Sequence, residues 1–281
     1  MTSVDFGGAA VIVTGGTRGL GKAIGMEFSR AGARVFLTHR WGSVDEEELR
    51  VEFAREGLSA PLIVESDASD PEAARALMAH VRAHPARLAV LVSNVAFAKV
   101  VQDMGELRRS SLELSLRYST WPILDLLQAA RETLGYYPRY ALGISTDGGT
   151  VCHPGYDIVG VAKAALETLC RYLALRLRPE GVRVNAIRPG PLDTASSRAT
   201  FGDAVLEACR PGREGLLLEP RAVAGACVAL CSGLMDSVTG QVITVDEGVS
   251  LLSPIAFLTG RGWPGPLPDG QAEPRDKEDD G

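Results

Sequence analysis

Short apolar runs alternate with longer segments of helical periodicity along most of the 281 residues, and this alternation limits the possible folds. The predicted strands are residues 9–14, 34–38, 61–65, 88–92, 139–145, 182–187 and 241–245. The predicted helices are residues 19–31, 45–57, 71–82, 106–115, 119–134, 156–177 and 220–231. Strands that alternate with helices form parallel sheets with helices on both faces. We therefore predict a single-domain α/β protein, a Rossmann-type doubly wound parallel sheet of about seven strands.

The domain is expected to occupy residues 1–253. Residues 254–281 form a C-terminal extension in which proline, glycine and charged residues accumulate. Such a composition cannot bury enough apolar surface to fold, so disorder is expected from about residue 264.

Charge and composition exclude several classes of partner. A net charge of −6 disfavours nucleic acid, which needs a basic surface. No apolar run reaches the ~20 residues of a membrane span, and the first residues do not resemble a secretion signal. The five cysteines and four histidines show no metal-ligand spacing. We therefore expect a cytoplasmic protein with no metal, nucleic-acid or membrane partner.

A glycine-rich turn lies between the first predicted strand and the first predicted helix, at residues 14–21. Glycines there permit a tight turn, and the helix N-terminus offers free N–H groups to a pyrophosphate. The turn therefore predicts a dinucleotide site. Its candidate residues are Gly15, Thr17, Arg18, Gly19, Leu20 and Gly21.

The end of the second strand bears on which dinucleotide binds. Sites that favour NAD usually carry a carboxylate there for the ribose hydroxyls, whereas this chain has Thr38, His39 and Arg40. Arg18 and Arg40 can instead bind a 2′-phosphate through charge-assisted hydrogen bonds. The prediction is NADP(H), and the alternative is that both arginines are ordinary solvated charges.

Tyr156 and Lys163 are the candidate catalytic pair. A step of seven residues turns a helix by about 700°, so both side chains lie on one face, two turns apart. A nearby cation favours the phenolate form, and the two groups can therefore act together. The alternatives are a structural tyrosine at a helix start and a lysine whose charged end reaches solvent.

These motifs resemble the short-chain dehydrogenase/reductase family over about residues 9–252. The turn matches the family's Thr-Gly-x-x-x-Gly-x-Gly, and Ser93-Asn94-Val95-Ala96 is similar to its Asn-Asn-Ala-Gly. Val245-Asp246-Glu247-Gly248 is similar to its Val-Asp-Gly-Gly. The resemblance implies that Asp67 and Ala68 contact the adenine of the cofactor and that Asn94 makes a further cofactor contact. It also implies that Pro189, Gly190 and Thr194 hold the nicotinamide.

Most of the family has Tyr-x3-Lys, whereas the spacing here is similar to that of the enoyl-ACP and enoyl-CoA reductases. Those enzymes often carry a second tyrosine about ten residues earlier, where this chain has Thr146. Ser145 lies near the family's serine that binds the substrate carbonyl, so it is a third catalytic candidate. Its alternative role is a hydroxyl that caps a backbone group at the strand end.

The leading hypothesis is an NADPH-dependent oxidoreductase that reduces the C=C bond of an enoyl thioester or related enone. In that reaction Tyr156 would hydrogen-bond the forming enolate oxygen, and Lys163 would bind the nicotinamide ribose. The alternatives are a carbonyl reductase or alcohol dehydrogenase, another reaction on a specialised metabolite, and a catalytically silent cofactor-binding scaffold. The expected partners are a small-molecule or acyl-thioester substrate on coenzyme A or a carrier protein, and further copies in a homotetramer or homodimer.

Overall fold

A computed structural model describes residues 4–40, 45–208 and 217–251. The predicted extension 254–281 lies outside the described residues. The strands are β1 Ala10–Val13, β2 Arg34–His39, β3 Leu62–Glu65, β4 Leu88–Ser93, β5 Tyr140–Ile144, β6 Arg183–Pro189 and β7 Val242–Val245. All seven predicted strands are present, each within two residues of its expected ends.

Nine α-helices connect these strands in the described part of the chain. They are α1 Gly19–Arg30, α2 Glu46–Arg55, α3 Pro71–Arg82, α4 Arg109–Ser119, α5 Pro122–Leu134, α6 Asp157–Leu177, α7 Ala195–Phe201, α8 Asp203–Ala208 and α9 Pro220–Leu230. Between β5 and α6 lies a 3₁₀ turn, Asp147–Gly149.

The strands form one sheet in the order β3-β2-β1-β4-β5-β6-β7, and every neighbouring pair is parallel. The order reverses between β1 and β4, which is the switch point at which doubly wound sheets bind ligands. The predicted fold class is therefore confirmed.

Alternate residues of each strand face opposite layers of the core. Ala10 and Ile12 of β1 pack with α3, α5 and α6, whereas Val11 and Val13 pack with α1, α2 and α9. All four β1 side chains are fully buried. A strand covered on both faces must be apolar throughout, which explains why the strand runs are continuous rather than alternating.

Local signals explain several helix ends. The side chain of Asp70 accepts a hydrogen bond from the backbone N–H of Glu72 at 2.9 Å and so caps the N-terminus of α3. The helix predicted at residues 106–115 instead begins at Arg109 and continues to Ser119. Pro122 occupies the first helical position of α5, where its missing N–H costs nothing, and it therefore separates α4 from α5.

None of the helices in the described ranges is long and apolar enough to cross a bilayer.

Candidate active site

The predicted site residues come together at one edge of the sheet. They belong to the segments that follow β1, β2, β3, β4, β5 and β6, because parallel strands present their carboxyl ends on the same side. The roles assigned to these residues from the sequence stay predictions, and the structure gives their contacts.

The glycine-rich turn passes closely beside its neighbours. Gly15 and Gly19 have φ of 60° and 52°, a left-handed conformation that favours glycine. A Cβ at Gly21 would overlap the carbonyl oxygen of Gly15, so only glycine permits this approach of α1 to the turn. Thr17 is buried, and Arg18 and Gly19 at the start of α1 are exposed.

Asn94 fastens the segment after β4 to this turn. Its side-chain amide donates to the carbonyl oxygens of Thr14 at 3.0 Å and Gly15 at 3.3 Å. In return, the Thr14 hydroxyl accepts from the backbone N–H groups of Asn94 at 2.9 Å and Val95 at 3.3 Å. Asn94 therefore shapes the turn.

Arg40 and Asp67 form an ion pair across the ends of β2 and β3, with 2.9 Å between Nη2 and Oδ2. The ring of Tyr118 lies beneath the guanidinium, with the Arg40 Cζ atom 5.4 Å from the ring centroid. The Tyr118 hydroxyl donates to Asp67 Oδ2 at 3.5 Å. Ala68 follows Asp67 and is half-buried. Asp67 therefore already offsets part of the charge of Arg40.

The segment after β6 reaches back towards the turn. The Gly190 N–H donates to the Val245 carbonyl oxygen at 2.8 Å and fixes the end of β6, where Pro189 is the last residue. Thr194 caps α7 by accepting from the Ser197 N–H at 3.1 Å. A Cβ at Gly19 would lie 3.9 Å from the Thr194 side chain, so this segment and the glycine turn face each other.

These contacts fit a bound dinucleotide. In the cradle of the glycine-rich turn, glycine at positions 15 and 21 lets the turn pack closely against its neighbours, and at Gly19 an added Cβ would meet only the Thr194 side chain, at 3.9 Å. Helix α1 begins there without a side-chain cap or an acidic residue in its first turn. Its first N–H groups are therefore available to an anion.

Lys163 is buried under the end of β5. Its ammonium donates to the carbonyl oxygen of Ile144 at 2.6 Å, and the residue is 3% exposed. Burial disfavours the charged form and lowers the pKa of Lys163 to about 8, while the charges of Cys170 and Glu167 oppose that shift. The alternative of a lysine that reaches solvent is therefore wrong.

Tyr156 forms the N-cap of α6, and its ring packs on Gly148 and 5.4 Å from the ring of Phe201 in α7. Burial raises the pKa of the phenol, a hydrogen bond with Thr146 lowers it, and the charge of Asp147 raises it. The expectation that a lysine cation would favour the phenolate is wrong for this structure, because burial outweighs the favourable interactions. The phenol remains a hydrogen-bond donor.

The Ser145 hydroxyl donates to Glu167 Oε1 at 2.7 Å. Arg188 of β6 holds the same carboxylate with two hydrogen bonds, from Nε at 3.0 Å to Oε1 and from Nη2 at 2.8 Å to Oε2. The carboxylate is nearly inaccessible, so Arg188 supplies the countercharge that a buried anion needs. The proton of Ser145 is thus directed away from any substrate.

A cavity of about 460 Å³ opens beside Tyr156. It lies between the start of α4, the start of α6 and the loop that joins the 3₁₀ turn to α6. Its lining is mostly apolar, and its polar groups come from Cys152, His153 and Asp157 and from Arg108 and Arg109 at the start of α4. The cavity is large enough for part of a small acyl substrate.

Four residues of the site were not predicted from the sequence: Asp147, His153, Glu167 and Arg188. Of these residues Glu167 was the easiest to predict, since it follows Lys163 by four residues and must lie on the same face of the helix. The other three contacts depend on how a strand and a loop fold back onto α6.

The sheet order, the glycine turn and the tyrosine–lysine helix together define a short-chain dehydrogenase/reductase. The sequence profile described as Enoyl-(Acyl carrier protein) reductase matches residues 15–250, and the chain therefore belongs to this family of oxidoreductases.

Several curated proteins are similar to the chain over most of their length. The enoyl-[acyl-carrier-protein] reductase [NADH] of Nostoc is 30% identical, over 87% of this chain and 97% of the relative. The enzyme of the same name from Escherichia coli is 30% identical, over 87% and 95%. The 1-cyclohexenylcarbonyl-CoA reductase of Streptomyces collinus is 26% identical, over 88% of each chain.

Solved structures show the same fold. A dehydrogenase/reductase from Sinorhizobium meliloti superposes with a TM-score of 0.76 at 26% identity, covering 88% of this chain and 96% of the other.

Proposed function

We propose that this protein reduces the carbon–carbon double bond of an α,β-unsaturated acyl thioester with NADPH as the hydride donor. The observation that carries the proposal is the contrast between two hydroxyls. Tyr156 borders the cavity and its phenol stays protonated, whereas the Ser145 hydroxyl donates its hydrogen bond to the Glu167 carboxylate.

This contrast favours reduction of an enoyl group over reduction of a ketone. Hydride addition to the β-carbon develops negative charge on the carbonyl oxygen of the thioester. A donor such as the Tyr156 phenol stabilises that oxygen, as in an oxyanion hole. In a ketone reduction Ser145 would be expected to donate to the carbonyl, and its bond to Glu167 opposes that role.

The bound dinucleotide would supply the hydride. Its pyrophosphate would meet the N–H groups at the start of α1, and its adenosine would lie by Arg40 and Asp67. Lys163 would bind its ribose, and Pro189, Gly190 and Thr194 would bind its nicotinamide. These assignments are supported by the position of each residue at the carboxyl edge of the sheet.

The test is NADPH oxidation at 340 nm with crotonyl-CoA, longer enoyl thioesters and the matching 3-keto thioesters. We expect turnover of the enoyl substrates. Turnover of the keto substrates alone would contradict the proposal and establish a carbonyl reductase. Tyr156→Phe should lower kcat by about 100-fold or more while leaving NADPH affinity unchanged, and Tyr172→Phe on the same helix is the matched control.

The preference for NADPH over NADH is proposed from Arg18 and Arg40. A 2′-phosphate carries more than one negative charge and would compete with Asp67 for Arg40. The enoyl reductases from Nostoc and Escherichia coli carry NADH in their names, so the test is to compare kcat/KM with NADPH and with NADH. Arg18→Ala with Arg40→Ala should erase the preference for NADPH, and exposed Arg55→Ala should not. A wild-type preference for NADH would refute the assignment.

We also propose a homodimer or homotetramer formed through the outer face of α6. Tyr172 and Leu175 are each 69% exposed on that helix and three residues apart, and adjoining exposed apolar side chains of this kind mark contact surfaces. The cytoplasm is the proposed compartment, supported by Cys170, Cys227 and Cys231, which are buried free thiols.

A further inference from the structure

A second cavity lies at the edge of the sheet opposite the candidate active site, at the amino ends of β1, β2 and β4. It is an open cleft of about 560 Å³, bordered by residues 7–9 before β1, by Arg34 at the start of β2 and by residues 84–87 before β4. The sheet brings these segments together, because Ala10 is paired with Arg34 on one side and with Leu88 on the other. The cleft therefore lies apart from the residues of the proposed function.

The polar side chains that border the cleft belong to Arg34, His84 and Arg87, and no carboxylate of the described residues lines it. Asp5 precedes this part of the chain, and its carboxylate accepts a hydrogen bond from the Gly7 N–H at 2.8 Å. The Nε atom of Arg34 is buried, and the described part of the chain gives it no hydrogen-bond partner. A buried donor without an acceptor is destabilising, and an anion in the cleft would supply that acceptor.

The side chains of Arg34 and His84 lie on the same side of the sheet. Arg34 and Phe36 are two residues apart in β2, so their side chains share a sheet face. The ring of His84 contacts the Phe36 ring edge-on, with 5.7 Å between the centroids. The Ala86 N–H donates to His84 Nδ1 at 3.2 Å, so the neutral imidazole carries its proton on Nε2 and is a donor there.

The guanidinium of Arg87 is held by an aromatic ring. Its Cζ atom lies 3.7 Å from the centroid of the Tyr136 ring. The Tyr136 hydroxyl accepts from the Leu88 N–H at 3.1 Å, which fixes the ring beside the start of β4. A guanidinium that stacks on a ring through its face keeps the N–H groups at its edge for an anion.

We propose that this cleft binds a phosphate group, either as inorganic phosphate or as the ester of a small molecule, through Arg34, Arg87 and His84. Two planar guanidinium groups can form charge-assisted hydrogen bonds to several phosphate oxygens at once. The remaining border, at Ala9, Pro85 and Ala86, is apolar, and the cleft has room for an organic group beside the phosphate. This site goes beyond the proposed function and does not depend on it.

The test is isothermal titration calorimetry of the protein in phosphate-free buffer with inorganic phosphate and with glycerol 3-phosphate, at constant ionic strength. Wild type should bind both probes. Arg34→Met with Arg87→Met keeps most of each side-chain stem and should weaken binding by about tenfold or more. Arg34→Lys should lose less affinity, because it keeps the charge but not the fork of donors.

The two probes distinguish the source of the phosphate group. Equal affinities would assign the cleft to inorganic phosphate, and tighter binding of glycerol 3-phosphate would assign it to a phosphate ester. Either result supports the site if the double variant loses it.

The glycine-rich turn at α1 also attracts anions, so two controls are needed. Arg18→Met at that turn should leave phosphate binding to the cleft unchanged. Arg82→Met should do the same, since this arginine is exposed on the neighbouring helix α3 and donates to the Thr133 carbonyl oxygen at 3.3 Å. Circular dichroism of each variant checks that it is folded.

A second measurement reports on the cleft directly. In a ¹H–¹⁵N NMR spectrum, the Arg34 Nε–H signal, assigned by its loss in Arg34→Lys, should shift when phosphate is added.

Unchanged phosphate affinity in the folded double variant would overturn the site. So would an unshifted Arg34 signal at saturating phosphate, or wild-type protein that binds neither probe. Failure of the enoyl thioester assay would leave this proposal intact, because the cleft and the candidate active site lie at opposite edges of the sheet.

Discussion

The buried ammonium of Lys163 leads to a prediction about stability that can be worked to a sign and a size. The residue is 3% exposed, and burial lowers its pKa from 10.5 to about 8. One pKa unit corresponds to about 1.4 kcal/mol, so keeping the buried amine charged costs on the order of 3 kcal/mol at neutral pH. Such a cost is tolerated where the charge serves the site.

The pH dependence follows from the direction of the shift. The folded protein releases the Lys163 proton above about pH 8, whereas the unfolded chain keeps it until pH 10.5. The unfolded state therefore binds more protons in this window, and this residue's contribution to the free energy of unfolding increases as pH rises. Between pH 7 and pH 9 the increase amounts to about 1.3 kcal/mol.

Lys163→Met keeps the length of the side chain and removes its titration. We propose urea unfolding of both cofactor-free proteins at pH 7 and at pH 9. From pH 7 to pH 9 the free energy of unfolding of wild type should rise by about 1.3 kcal/mol relative to that of the variant, since all other titrating groups are the same in both. At pH 7 the variant should be at most about 2 kcal/mol more stable, because the Ile144 carbonyl loses its donor.

Lys22, partly exposed on α1, provides the matched control. Lys22→Met should give the same change between pH 7 and pH 9 as wild type. A difference between wild type and Lys163→Met that does not vary with pH would refute the reasoning.

Three further perturbations follow from contacts in the site and on α6. Gly21→Ala should weaken binding of the proposed cofactor, NADPH, by about tenfold or more in a fluorescence titration, because its Cβ would overlap the Gly15 carbonyl oxygen. Arg188→Met should lower the free energy of unfolding by about 3–5 kcal/mol, since the buried Glu167 carboxylate loses the cation that is hydrogen-bonded to it. Tyr172→Glu with Leu175→Glu should reduce the molar mass measured by light scattering to that of a monomer.

Each of these has a control and a contradicting result. Gly225→Ala, in open space on α9, should leave NADPH binding unchanged; normal binding by Gly21→Ala would contradict the cradle. Adding Glu167→Gln to Arg188→Met should restore most of the lost free energy of unfolding. If it restores none, the charge of Glu167 is not the cause of the loss. Val51→Glu on α2 should leave the molar mass unchanged, and an unaltered mass for the α6 variant would exclude that interface.

The sequence was sufficient to predict the fold because the pattern and the packing agree. A continuous apolar run too short for a helix and followed by glycines, such as residues 9–14, is typical of a strand covered on both faces. The start of α4 was misplaced, because the acidic and basic residues from Glu106 onwards do not show where the loop ends. Residues that follow a parallel strand necessarily meet at one edge, which is why the candidate site was found.

The contacts inside the site were less predictable. The pKa of Tyr156 was expected to fall, and it rises because the loop at Gly148 and the ring of Phe201 remove the phenol from water. The bond from Ser145 to Glu167 links residues 22 positions apart and depends on Arg188 of another strand. The spacing of two residues in a helix predicts that they lie on the same face of that helix. It does not predict which groups from other elements pack against that face.

The hydrogen bonds between Asn94 and the glycine-rich turn affect how fast the cofactor site can be occupied. Both carbonyl groups that Asn94 holds and the hydroxyl of Thr14 are paired within the protein itself. An arriving dinucleotide therefore meets a turn whose shape is already set, and little conformational entropy is lost on binding. Asn94→Ala would remove the side-chain hydrogen bonds to the turn, and its first effect would be slower cofactor binding rather than a change in the rate of the chemical step.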